Sequence, residues 1–246
     1  PLMADNNPSG TLVFLPEFGG IPNTRDPGVL LDVAQQHNLR FVRFYHPHML
    51  EQHKLTYNNM IKEAVAVVES QDGPVVLAGA SFGGGMAHLV ADAVNGRARD
   101  AGLADKVVGI YAWSTVTPDA VVDLICAQPA YEDFAIKKQG RLSFQGPTQT
   151  EPMSVSWAQI ISVNDHATYR KEVSHFNHPA LYETGDADPV SNKKDVGKVV
   201  NQLGLSARFR LLSNTGHALS PQQLELGLSK VIESAGFSKV APRAFA

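Results

Sequence analysis

Gly79-Ala80-Ser81-Phe82-Gly83 follows the apolar run Pro74-Val75-Val76-Leu77-Ala78 and opens a helix-like segment, Gly84 to Asn95. The pattern G-x-S-x-G takes its meaning from that setting of strand, sharp turn and helix. Such a turn forces the serine backbone into a strained conformation. Gly79 and Gly83 let strand and helix pass closely with no Cβ between them. The serine hydroxyl is then exposed at the positive end of a helix, beside a backbone N–H.

Outward from this motif, short apolar runs alternate with helix-length amphipathic segments. Thr11–Leu15, Arg40–Phe44, Val75–Ala78, Lys106–Trp113, Pro179–Glu183 and Ala207–Leu212 read as strands. Asp26-Pro27, Thr117-Pro118 and Ser220-Pro221 each give a cap followed by proline at the first helical position, and Thr56 caps a further helix. Ser191 to Leu203 reads as helical, stopped by Gly204, and Gly236 stops the last helix. Strands alternating with helices predict an α/β architecture, a mostly parallel sheet of about six strands with helices on both faces. Right-handed crossovers then bring every C-terminal strand end to one edge, where ligands bind. The rhythm breaks once, at Gln128 to Asn177. This stretch holds Tyr131, Phe134, Phe144, Met153, Trp157, Ile160 and Ile161, too apolar for a plain loop. It reads as a partly helical lid or cap insertion after the fourth core strand (about 128–177), with a hairpin or loose excursion around Gly140 to Pro152, in a single domain spanning 1–246.

Bulk properties narrow the function. The 246 residues are 43% hydrophobic and 18% charged, the profile of an ordinary soluble globular protein. A formal net charge of −3 gives no footprint for nucleic acid or an anionic membrane surface. No apolar run reaches membrane-spanning length. Pro1 to Gly10 is polar and turn-rich, without the apolar centre of a signal peptide, so a cytoplasmic enzyme with Met3 as its natural start is the expectation. The single cysteine, Cys126, reads as a small, buried and inert residue.

A serine hydroxyl is a poor nucleophile until a base takes its proton, and that base must be held in the correct tautomer. Leu181 to Val190 is a strand running into the acidic turn Gly185-Asp186-Ala187-Asp188-Pro189. Arg208 to Leu212 leads through Ser213-Asn214-Thr215-Gly216 to His217. Nucleophile, acid and histidine in this chain order, each after the expected strand, resemble the α/β-hydrolase superfamily over nearly the whole chain. The resemblance implies a serine hydrolase of esterase or thioesterase type, with Ser81, Asp188 and His217 as the catalytic residues. Asp188 is preferred because the acid commonly stands three residues after the glycine. Asp186 is its rival, with capping of the turn as the alternative role. Asp119 is a further candidate, read more simply as a first-turn acid of its helix.

The resemblance also implies an oxyanion hole from the backbone N–H groups of Phe82 and Phe18. Phe18 lies in the loop Leu15-Pro16-Glu17-Phe18-Gly19-Gly20, where family members commonly carry His-Gly-x-Gly-Gly. Glu17 departs from that pattern. It must turn away from the oxyanion or hold a substrate hydroxyl or amine. Glu17, Trp113 and Trp157 are the candidate substrate-binding residues, with Phe18, Phe82 and Trp113 expected to wall the pocket. The first strand starts at Thr11, so the antiparallel strand pair that opens many members is missing.

Among the other histidines, Pro47 separates His46 from His48 and no cysteine stands near them or His53, so no metal is expected. His88 reads as a packed or surface residue. His166, His175 and His178 are at most pocket-lining, since none follows a terminal strand. The expected activity is cofactor-free cleavage of a small-molecule ester or thioester. The alternatives are a hydrolase-derived receptor or carrier with little turnover, and a lyase or perhydrolase. The run Gly83-Gly84-Gly85 is somewhat similar to the cofactor-free perhydrolases.

Overall fold

The computed structural model describes residues 7–15, 26–44, 56–144, 153–167, 176–191 and 193–240. Six strands, β1 (Gly10–Leu15), β2 (Leu39–Arg43), β3 (Val75–Ala80), β4 (Val107–Trp113), β7 (Ala180–Gly185) and β8 (Ala207–Leu212), form one sheet in the order β2-β1-β3-β4-β7-β8. Every neighbouring pair in it is parallel. The intervening hairpin β5 (Arg141–Phe144) and β6 (Met153–Ser156) is antiparallel and separate.

Strand alternation divides the core between two faces. Val13, Leu15, Val75, Leu77, Ile110, Ala112 and Tyr182 face α2 (Tyr57–Glu69), α3 (Phe82–Asp100) and α7 (Lys193–Leu203). Leu12, Phe14, Val76, Ala78, Tyr111, Trp113 and Leu181 face α1 (Asp26–Gln36) and α8 (Pro221–Ser234). Strands buried on both sides have to be apolar at nearly every position, which is why they read as continuous hydrophobic runs.

The helix starts follow their caps. Thr56 and Thr117 accept from Asn59 and Ala120, and Ser220 forms a reciprocal capping box with Gln223. Gly204 and Gly236 stand at φ +78° and +94°, where the helices stop. Two expectations need correction. Ser191 belongs to the turn before α7, which begins only at Lys193. Cys126 is exposed at the end of α4 (Pro118–Cys126), because its neighbour Ile125 takes the inward position.

Between β4 and β7 the chain forms α4, then α5 (Tyr131–Lys137), the β5–β6 hairpin and α6 (Trp157–Ala167). This region has a small core of its own, built from Ile125, Phe134, Leu142, Val155 and Ile160. It is tied to the main body through α6: Val163 enters the larger core, and the Asn58 N–H donates to Ser162 Oγ at 3.0 Å. No described helix is long and apolar enough to cross a membrane.

His37, only 1% exposed, is packed between α1 and the segment that follows α8. Burial lowers its pKa, opposed by the charge of Glu233 and by hydrogen bonding of the imidazole to the Phe237 backbone, and assisted by Lys239. The unfolded chain therefore binds this proton more readily, and stability falls as pH drops below about 6.5. We expect His37→Asn to narrow the Tm difference between pH 7.5 and pH 5.5. An unchanged difference would show that His37 does not set this acid sensitivity.

Candidate active site

Ser81 sits between β3 and α3 at φ +48° and ψ −114°, a backbone conformation that non-glycine residues rarely adopt. A Cβ on Gly79 would lie 2.6 Å from the Gly83 carbonyl oxygen, so strand and helix can pass this closely only with glycine there. The Ser81 N–H donates to the Trp113 carbonyl at 3.0 Å, and its own carbonyl accepts from Val116 and Gly85 at 2.9 and 3.2 Å. The residue is pinned from three sides while its side chain stays partly exposed.

His217 Nε2 lies 3.2 Å from Ser81 Oγ, and Nδ1 lies 3.0 and 2.9 Å from the two oxygens of Asp188. A carboxylate only accepts, so Nδ1 carries the proton and Nε2 is left to accept from the serine hydroxyl. Asp188 Oδ1 also accepts the N–H groups of Val190 and Ser191 at 2.8 and 3.0 Å. Burial works to raise the Asp188 pKa. The His217 hydrogen bond and charge and the two backbone donors outweigh it, leaving the carboxyl below the ordinary value. The acid is therefore ionised in the conditions where an imidazolium would form beside it.

Asp186 points elsewhere: its Oδ1 accepts the Thr215 N–H at 3.3 Å, bracing the loop that carries His217. Gly185 is needed because that loop crosses over the end of β7, and a Cβ there would overlap the Thr215 carbonyl. Asp119 lies in the first turn of α4.

The aromatic wall is corrected. Trp113 is 2% exposed, stacked on Phe14 (5.8 Å between centroids) and Tyr111 (5.4 Å), because strand alternation turns it toward α1 and α8. Phe82, also 2% exposed, packs edge-on against Tyr57 at 4.7 Å on the opposite face. Its backbone N–H opens α3 beside Ser81. Trp157 packs at 5.8 Å against Phe134, with the Lys138 ammonium over its ring, so it braces the small core of the insertion. Glu17 and Phe18 lie outside the described residues, as do His46, His48, His53 and His175, and nothing is described of the His166 side chain. Among the described residues no group of three or more His, Cys, Asp or Glu could hold a metal. His88 is buried in α3, and His178 Nε2 meets Asp105 at 3.0 Å, next to Arg99.

The glycine run has a packing explanation. A Cβ on Gly84 would lie 2.7 Å from Thr115 Oγ1, and one on Gly85 would overlap the Val116 carbonyl. Residues 114–117 therefore rest directly on the first turn of α3. Sequence reasoning assigned this segment only a cap, yet it touches every part of the site. Ser191 was likewise missed; its Oγ donates to the Thr115 carbonyl at 2.7 Å and so ties the Asp188 turn to the same segment. The pattern Asp-Pro-x-Ser, an acid followed by a hydroxyl within one turn, is the only sequence signal for it.

The geometry separates the two acids. Asp188→Asn should lower kcat by about 10³- to 10⁴-fold, since the imidazole would lose its tautomer and its ion partner. Asp186→Asn removes one loop contact and should cost less than about tenfold. Steady-state kinetics of both variants with a chromogenic ester decide it; a larger loss in Asp186→Asn would reassign the acid.

No protein-family model matches the chain, and no curated protein sequence does. Solved structures do. Alpha/beta hydrolase domain-containing protein 10 from mouse superposes with a TM-score of 0.74 at 16% identity, covering 91% of this chain and 88% of that one. Est1E from Butyrivibrio proteoclasticus gives 0.70 at 14% identity, covering 94% and 90%. The monoacylglycerol lipase of Paleococcus ferrophilus gives 0.68 at 17% identity, covering 94% and 96%. With its parallel six-stranded sheet and these superpositions, the chain has the fold of the α/β-hydrolase superfamily.

Proposed function

We propose that the protein is a cofactor-free serine hydrolase that cleaves a small to medium carboxylic ester or thioester through an acyl-enzyme on Ser81. The observation that carries this reading is the continuous Asp188–His217–Ser81 hydrogen-bonded chain, ending on a hydroxyl held in a strained turn at a helix N-terminus. Ser81 Oγ attacks the acyl carbon while His217 Nε2 takes its proton. The tetrahedral oxyanion is held by the Phe82 N–H and, as the family resemblance implies, by that of Phe18. The imidazolium, paired with Asp188, gives its proton to the departing alkoxide or thiolate. Water then attacks the acyl-enzyme with His217 as base, and the acid product leaves with Ser81 restored.

The substrate class rests on less direct support. One of the superposed proteins is a monoacylglycerol lipase by name. No arginine or lysine falls in Leu15–Gly20, Gly79–Gly83, Gly185–Val190 or Ser213–His217, so a charged acyl group would be buried there without a partner. Residues 128–177 act in this reading as a lid whose inner surface sets the acyl length.

The test is a panel of p-nitrophenyl esters and acyl-CoA thioesters. Each methylene that fits adds about 0.8 kcal/mol, about fourfold in kcat/KM, until the pocket is full. We expect kcat/KM to rise from acetyl, to fall before dodecanoyl, and to drop to background in Ser81→Ala. A rise continuing into long chains would overturn the acyl-size assignment. A stoichiometric burst with no turnover would point to a receptor.

A further inference from the structure

We propose that Ser114 is a positioning residue for His217, acting on the carbonyl of the loop that carries the imidazole; this rests on the serine-hydrolase reading above. Ala80 and Trp113 are register partners at the ends of β3 and β4, so Ser81 and Ser114 are the next residues of two adjacent strands. Both stand at φ +48°. A non-glycine residue held in that region is strained, and it persists only where the surroundings over-determine it. At Ser81 the strain presents a hydroxyl to His217 Nε2. At Ser114 it presents a hydroxyl to the backbone of the same histidine.

Ser114 is 1% exposed. Its N–H donates to the Glu183 carbonyl at 2.7 Å, which fixes its backbone to β7, and its Oγ donates to the His217 carbonyl. The imidazole is anchored at Nδ1 by Asp188, but a ring held at one end still swings with its backbone. The Ser114 hydroxyl ties that backbone to β4. Its two successors act on the other members of the chain. The Thr115 carbonyl accepts the Ser191 hydroxyl, whose own N–H serves Asp188, and the Val116 N–H donates to the Ser81 carbonyl. Three consecutive residues each hold one of the three groups. Of these contacts, only that of Ser114 is made by a side chain of the segment itself, so a substitution within the segment removes it without rebuilding the backbone.

A displacement of the base by a fraction of an ångström changes proton transfer far more than substrate affinity. The variant of choice is Ser114→Gly, which removes the hydroxyl and tolerates the backbone conformation. With p-nitrophenyl butyrate, kcat should fall by about tenfold to a hundredfold, with KM changed by less than about twofold. Independently of turnover, the low-field ¹H NMR resonance of the His217 Nδ1–H should broaden or move upfield in the substrate-free protein. Unchanged kcat and an unchanged resonance, whatever happens to Tm, would overturn the proposal, because a merely structural hydroxyl would move only Tm. If the unmodified protein shows no ester turnover, the hydrolase reading fails and the resonance alone decides the role of Ser114. Should Ser114→Gly not fold, Ser114→Ala gives the same two readouts.

Discussion

The contact between residues 114–117 and the glycine face of α3 is the constraint on which the rest of the site depends. A side chain at Gly84 or Gly85 would drive Thr115 and Val116 away from the helix. With that surface bare, the segment lies close enough for the Val116 N–H to reach the Ser81 carbonyl, which helps hold the serine in a conformation it would not adopt alone. The same segment receives Ser191 from the acid turn and, through Ser114, the histidine loop. Loops from the ends of β3, β4, β7 and β8 are thereby locked to one another on one edge of the sheet. Close packing leaves little slack at such a junction, so a group displaced there displaces its neighbours.

Electrostatics follow the same layout. Asp188 is buried yet held below the ordinary carboxyl pKa, because three donors converge on it. Glu183, inside β7 and five residues before Asp188, has the opposite balance. Burial raises its pKa, and the hydrogen bond from Tyr111 and the charge of Arg210 only partly offset this. Two carboxyls on one strand and its turn are thus set apart by what surrounds them. The one that faces the histidine keeps its charge at lower pH.

Much of this was legible in the sequence, and for physical reasons. The elbow needs a particular order of strand, glycine, serine and helix, and that order is local. Caps such as Thr56, Thr117 and Ser220 announce helix starts within four residues. The choice of Asp188 over Asp186 followed from its spacing to Gly185, and the structure brings Asp188 to His217. What stayed hidden depends on partners distant in the chain. Trp113 could not be assigned a face without the strand register, and it turns into the core. Cys126 took the outward side of a short helix. Ser114 carries no pattern of its own, because a hydroxyl bonded to a backbone carbonyl many residues away leaves no local trace. The glycine run after Ser81 makes room for Thr115 and Val116, residues that only the folded chain brings next to it.

The central claim is that Ser81 becomes covalently bound to the acyl group, and active-site titration measures it most directly. A fluorophosphonate, followed by intact mass and peptide mapping, should modify the protein once per chain, at Ser81. The rate should fall at least a hundredfold in His217→Ala, where the base is gone. Modification that persists in Ser81→Ala, or that proceeds at an undiminished rate without His217, would contradict the account.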